Sequence, residues 1–220
     1  MKKILLLVSV FLLSSCMKLD SAINIDANGV AKSVATIDMA KFISVIEAMG
    51  TGSDSAGINK DLCKDENFSG WLYESLSESK DTLADVKCTS VGDYKAKVEG
   101  TQDFSKKKWI LLLSWVTIID MLALWDENRV PKSGWDELSP SSAEDMGFSI
   151  HQSYTLPWVV VYKEAGTLSG SSTVELNLLD PKVLKKRSLI LISSTSGKTL
   201  TTREINAYKL LLKRHNRKVK

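Results

Sequence analysis

Apolar and polar residues alternate from Lys18 to Asp26 and again from Val30 to Asp38, on either side of Ala27-Asn28-Gly29. A period of two marks strands with one buried face, and Asn-Gly supplies the positive φ angles of a tight hairpin. Asp38 then stands where a helix cap belongs, ahead of Met39 to Met49 with Phe42, Val45, Ile46 and Met49 on one stripe. Gly50 to Gly57 reads as a Gly/Ser loop, Ile58 to Asn67 as a short helix, and Trp71 to Ser79 as helical or irregular. Asp85 to Gly100 reads as one strand, bulged near Gly92.

Trp109 to Trp125 is the most apolar internal stretch, with Asp120 its only charge. It is short for a membrane span, which takes about 20 residues. Lys106, Lys107 and Lys108 would also lie on the wrong side of the bilayer for an exported domain. The better reading is a buried central strand, Trp109 to Thr117, followed by a short helix or strand continuation to Trp125. Asn128 to Pro140 reads as a loop and Ser141 to Met146 as a capped helical turn that Gly147 ends. Ser149 to Tyr154 and Trp158 to Glu164 read as strands around Pro157, with a turn at Ala165-Gly166. Ser172 to Leu178 alternates as a hairpin arm until Asp180-Pro181, and Ser188 to Ser193 is a buried strand. Thr201 or Thr202 caps a last helix that runs to about Lys213. Hairpins outnumber strand–helix–strand units. The expected fold is therefore α+β: an antiparallel β-sheet built from hairpins, with helices packed on one face.

The start of the chain has a different grammar. Met1-Lys2-Lys3 is basic, Ile4 to Leu13 is an apolar run broken only by Ser9, and Leu13-Ser14-Ser15-Cys16 ends it. A basic start, a short apolar stretch and small residues before a cut make an export signal. Leu-Ser-Ser-Cys resembles the lipobox of bacterial lipoproteins. The resemblance implies cleavage between Ser15 and Cys16, alkylation of the Cys16 sulfur by a diacylglyceryl group and further fatty acylation, palmitate among the chains. One acyl chain binds a membrane marginally, whereas two or more hold it stably. The expected organisation is a signal peptide over 1–15, an envelope domain over 16–200, and a C-terminal helix with a basic tail over 201–220.

Charge and cysteine use fit that address. The formal charge of +3 becomes +1 without Lys2 and Lys3. The six cations Lys209, Lys213, Arg214, Arg217, Lys218 and Lys220 then leave Cys16 to Tyr208 at −5. A mildly acidic, exported body is a poor partner for nucleic acid. The terminal cations read either as a solvated end or as contacts to anionic headgroups. With Cys16 lipidated, Cys63 and Cys88 remain as an even pair in an oxidising compartment, and a disulfide between them is expected, two free thiols being the alternative.

Cys16-x-x-Leu19 leading into Ile23-x-Ile25-x-x-x-Gly29-x-Ala31 resembles the opening of LppM-type bacterial lipoproteins. Gly147-Phe148-x-Ile150, Leu156-Pro157, Gly166 and Val174-x-Leu176 resemble their closing strand module. Pro157-Trp158 stands where the family carries Pro-Gly, and Gly170-Ser171 where it carries Gly-Asn. The resemblance implies an envelope α+β domain with lipid or glycolipid contact, and it transfers no catalytic residue.

Catalytic chemistry finds little to stand on. Ser194-Thr195-Ser196-Gly197-Lys198-Thr199 looks like the end of a phosphate-binding loop, but Ile192 occupies the position of its first glycine. His151 and His215 are the only histidines. A Ser/His/Asp hydrolase would rest on His151 alone, with no G-x-S-x-G elbow to present a serine. Asp126/Glu127 and Asp136/Glu137 are adjacent in sequence and cannot converge on a substrate. No enzyme, metal or cofactor is expected. The expectation is a lipid-anchored protein on the extracytoplasmic side of a bacterial membrane, binding lipid, glycolipid or an envelope protein. The rivals are an assembly subunit docking through the Trp125 to Trp135 loop, and a cryptic hydrolase. The six tryptophans are core residues by default.

Overall fold

The computed structural model describes residues 17–48, 59–65, 83–105, 107–121, 148–180, 183 and 188–218. The first hairpin pairs β1 (Met17–Ile25) with β2 (Val30–Asp38) in unbroken antiparallel register, Lys18 opposite Asp38 and Ile25 opposite Ala31. Of the Asn-Gly pair only Gly29 takes positive φ, at 85°. The Asp26 carboxylate accepts the amides of Asn28 (2.8 Å) and Val30 (2.9 Å), which closes the turn. A Cβ on Gly29 would collide with Leu112 Cδ1 and lie 3.1 Å from the Ser105 backbone, so the turn needs glycine for space as well as conformation.

The 85–100 stretch is not one strand. β3 (Leu83–Gly92) turns through Asp93 and Tyr94 into β4 (Lys95–Asp103), because Gly92 (φ 149°) and Tyr94 (φ 58°) both leave the extended region. The 109–121 run splits likewise. Ser114 and Trp115 form the turn between β5 (Ile110–Leu113) and β6 (Val116–Asp120). Two short strands bury the same apolar side chains as one long one, and each finds a partner for its backbone. Among the described residues no helix is long and apolar enough to cross a membrane.

The remaining strands are β7 (Phe148–Thr155), β8 (Val159–Lys163), β9 (Thr167–Ser169), β10 (Thr173–Asn177) and β11 (Ile190–Ser194). They complete two sheets. One has seven strands in the order β3-β4-β2-β1-β7-β10-β9, the other four in the order β5-β6-β11-β8. The expectation of one antiparallel sheet is corrected twice. There are two sheets, and the larger is mixed, because β7 runs parallel to β1 with His151 opposite Asp20.

Inward residues of both sheets form the main core, with Ile23, Ile25, Tyr154 and Val174 from one and Ile110, Ile119 and Leu191 from the other. Such face-to-face burial, near 25 cal/mol per Å² of apolar surface, is what holds the two layers. The outer face of the four-stranded sheet carries a second cluster in which Val116, Ile118, Ile190 and Ile192 meet Tyr208 and Leu212 of α2 (Thr202–Lys218). Thr201 caps α2: its Oγ1 accepts the Glu204 amide (3.3 Å), and the Glu204 carboxylate takes the Thr201 amide (2.7 Å). The helix runs past Lys213 to Lys218.

Helix α1 (Ala40–Ala48) starts where Asp38 Oδ1 accepts the Ala40 amide at 3.1 Å. Ile43, outside the stripe read from sequence, is buried at 1% exposure. The 58–67 helix reduces, within residues 59–65, to a 3-10 turn at Leu62–Lys64. Cys63 in that turn is bonded to Cys88 of β3, Cα–Cα 5.6 Å. The segments expected at 50–57, 71–79 and 128–146 lie outside the described residues.

Candidate functional site

Strand alternation leaves one face of the seven-stranded sheet polar, and register places its side chains. Thr36, Asp20, His151 and Asn177 form one row across β2, β1, β7 and β10. Val34, Ala22, Ser153 and Glu175 form the next. All of these but Asn177 line a groove of about 340 Å³. It is an open groove whose lining is more apolar than polar, with Ala22, Val34 and Leu176 among side chains that can hydrogen-bond, such as Thr36 and Ser153. Among the described residues no tryptophan lines it.

Asp20, His151 and Ser153 thus share one groove, the nearest approach to the hydrolase rival. Among the described residues no hydrogen bond joins His151 to a serine or an acid, and Ser153 Oγ donates to the Ser21 carbonyl at 3.5 Å. A nucleophile and its base sit within about 3 Å of each other, and this geometry does not bring them together. The phosphate-loop lookalike uses its own donors. Ser194 Oγ accepts the Ser196 amide (3.3 Å) and Ser196 Oγ the Lys198 amide (3.3 Å), while Ile192 is fully buried in β11. Asp126, Glu127, Asp136 and Glu137 lie outside the described residues, and no group of three metal-ligating side chains occurs within them.

The tryptophans divide. Trp109 is buried at 1% against Phe104, ring centroids 4.5 Å apart, whereas Trp115 at the β5–β6 turn is 55% exposed. Trp158 is half-buried, and Trp71, Trp125 and Trp135 lie outside the described residues. Among the described residues, buried apolar side chains fill the space between the sheets, and apolar surface shows outside at Val91, Trp115, Val159, Leu168, Leu210 and Leu211.

The six C-terminal cations also separate. Lys209 turns inward and is bonded to the Glu164 carboxylate; its Nζ donates to Tyr162 Oη (3.2 Å) and lies 5.1 Å from that ring's centroid. Burial alone would lower the Lys209 ammonium, but the bonds to Glu164 and Tyr162 and the carboxylate's attraction outweigh it and hold the pKa above the usual lysine value. Lys209 is thus tied into the fold by Glu164 and Tyr162. Sequence could not reveal this, because Glu164 lies 45 positions away. Since the folded pKa is raised, the pair's stabilisation is complete below the unfolded lysine value of about 10.4 and fades as pH rises through the folded one. Glu164→Gln should cost about 1 kcal/mol at neutral pH, a charge-assisted bond discounted for partial exposure. It should also flatten the alkaline arm of a pH series of thermal melts; equal slopes in both proteins would mean that the pair contributes nothing.

Lys213, Arg214 and Arg217 are exposed on the solvent side of α2, with no ion pair among the described residues. The Lys218 side chain and Lys220 lie outside them. Cys16 also lies outside, but the next residue, Met17, opens β1, the middle strand of the larger sheet. Around that end sit Asp38, whose carboxylate meets Lys95 Nζ at 2.8 Å, and the β3–β4 hairpin tip with Val91 49% exposed.

No family model matches this chain, and no curated protein matches it. Among solved structures, the folded domain of LppM from Mycobacterium tuberculosis aligns with 86% of this chain and 94% of its own, at 8% identity and a TM-score of 0.41. An aminopeptidase N family protein from Idiomarina loihiensis aligns over 80% of this chain and 29% of its own, at 11% identity and a TM-score of 0.36. At these scores neither likeness assigns this chain to a family or a function.

Proposed function

We propose that this chain is a bacterial envelope lipoprotein, held at the extracytoplasmic face of a membrane by acylated Cys16. It acts by contacts at its surface and not by catalysis or by enclosing a lipid. The observation that carries this reading is the junction between leader and fold. Consecutive Cα atoms are about 3.8 Å apart, and β1 begins at Met17, so no tether separates the lipidated cysteine from the folded sheet. A strand hydrogen-bonded on both sides enters the sheet from its end, which faces that end, Val91 and Lys95 included, toward the bilayer. A packed inter-sheet core beside exposed apolar residues supports docking of lipid surfaces or envelope partners over storage of a lipid inside.

Cys16→Ser tests the reading. The native chain should float with membranes and yield an N-terminal peptide carrying diacylglyceryl-cysteine. The variant should keep its leader uncut at this site and lose the acyl mass. A native chain whose first residue is not Cys16, or whose Cys16 carries no acyl chain, refutes the proposal.

A further inference from the structure

The solvent face of α2 is an unusual surface for a helix already packed on a sheet. Its inward side spends Tyr208 and Leu212 on the fold. Its outward side then carries Leu210 and Leu211, 49% and 41% exposed, followed one turn on by exposed Lys213, Arg214 and Arg217. Leucines beside a basic cluster on one helical face match the apolar boundary and anionic headgroups of a lipid surface. A soluble polyanion would match the charges but leave the leucines unused.

The position of this face decides which lipid surface it meets. His215 Nε2 lies 3.4 Å from the Lys107 carbonyl, and the Asn216 amide, turned with its nitrogen inward, reaches the Lys108 carbonyl. Lys107 follows Phe104 by one hydrogen-bonded turn, and the Phe104 amide donates to Gly29 O at 2.8 Å. The basic end of α2 therefore lies beside the β1–β2 turn. From Met17 that turn is one strand away, about 26 Å at some 3.3 Å per residue. Surface charge is screened within about 8 Å at physiological ionic strength. The Cys16 attachment and the basic end of α2 therefore lie at the two ends of β1, farther apart than that screening length.

We infer that α2 binds a second, anionic lipid surface facing the membrane that holds Cys16, so that the chain bridges the two. This inference rests on the Cys16 anchor proposed above. To test it, the full lipidated chain is reconstituted into dye-labelled phosphatidylcholine vesicles and mixed with sucrose-loaded vesicles containing phosphatidylglycerol, which are then pelleted. The dye should pellet with the anionic vesicles and not with phosphatidylcholine ones. Capture should fall by at least about tenfold in R214E/R217E, since each charge near such a surface counts roughly fivefold, and also in L210S/L211S. These side chains are exposed, so unchanged thermal melts of both variants show that the fold is intact. Dye left in the supernatant while the chain stays on its own vesicles overturns the bridge alone. A chain that does not remain on the phosphatidylcholine vesicles overturns the anchor. Capture by L210S/L211S equal to the native chain's, abolished by soluble polyphosphate, replaces the lipid surface with a polyanion.

Discussion

Trp109→Ala should destabilise the domain by about 3–5 kcal/mol, a large fraction of the total stability of a domain this size. The indole is 1% exposed, lies in the cluster between the two sheets and meets Phe104 edge to face. Its backbone carbonyl accepts the Asp120 amide at 2.8 Å, so the residue also fixes where β5 and β6 pair. Removing the ring deletes buried area and leaves a cavity that two packed sheets cannot close. Trp115→Ala, only six positions on, should change stability by no more than about 0.5 kcal/mol, because its ring is already 55% in water. Urea unfolding of both variants checks the contrast: a large fall in midpoint at constant slope for the first, and none for the second. Comparable losses in the two would mean that the division of tryptophans between core and surface is wrong.

The same pair of residues shows what could be read from sequence and what could not. Both sit in one apolar run, and a run without period says that a segment is buried without saying how often it turns. The β1–β2 hairpin was legible because alternation and Gly29 agree on one register. Gly92 was ambiguous, since a glycine within an alternating stretch serves a bulge or a turn equally well; Tyr94 at positive φ, invisible in sequence, made it a turn. The parallel pairing of β1 with β7 joins residues more than a hundred positions apart, as Asp20 and His151, and nothing local encodes it. The groove follows from that pairing, so its members were recognisable singly as outward-facing residues and not as neighbours. The basic stretch after Lys213 reads as a tail because its apolar period stops, yet Asn216 and His215 fasten it to the Lys107–Lys108 backbone. Polar contacts to main chain leave no hydrophobic pattern behind.

Reducing the Cys63–Cys88 bond, or replacing both cysteines with alanine, should cost about 3 kcal/mol. That is the loop-closure entropy recovered by the unfolded chain when a cross-link over 25 residues is removed. At 2–4 °C per kcal/mol for a chain of this length, the melting temperature should drop by roughly 6–12 °C. The folded side of the balance suffers locally. Cys63 lies in the 3-10 turn that puts fully buried Leu62 under β3 and β4, and the Lys60 carbonyl accepts the Tyr94 amide at the hairpin tip. The turn is otherwise held by the capping bonds of Asp61 and by Asn59, whose amide donates to Asp65 Oδ2 at 2.6 Å. Amide exchange should therefore rise first at Cys63, Lys64 and the edge strand β3, and stay slow in β6 and β11, which pair in the other sheet. Hydrogen exchange with and without reductant reads this directly. Uniform loss of protection would show that the bond stabilises the whole domain only through its unfolded state, and an unchanged melt would show that the Cys63 turn is held without it.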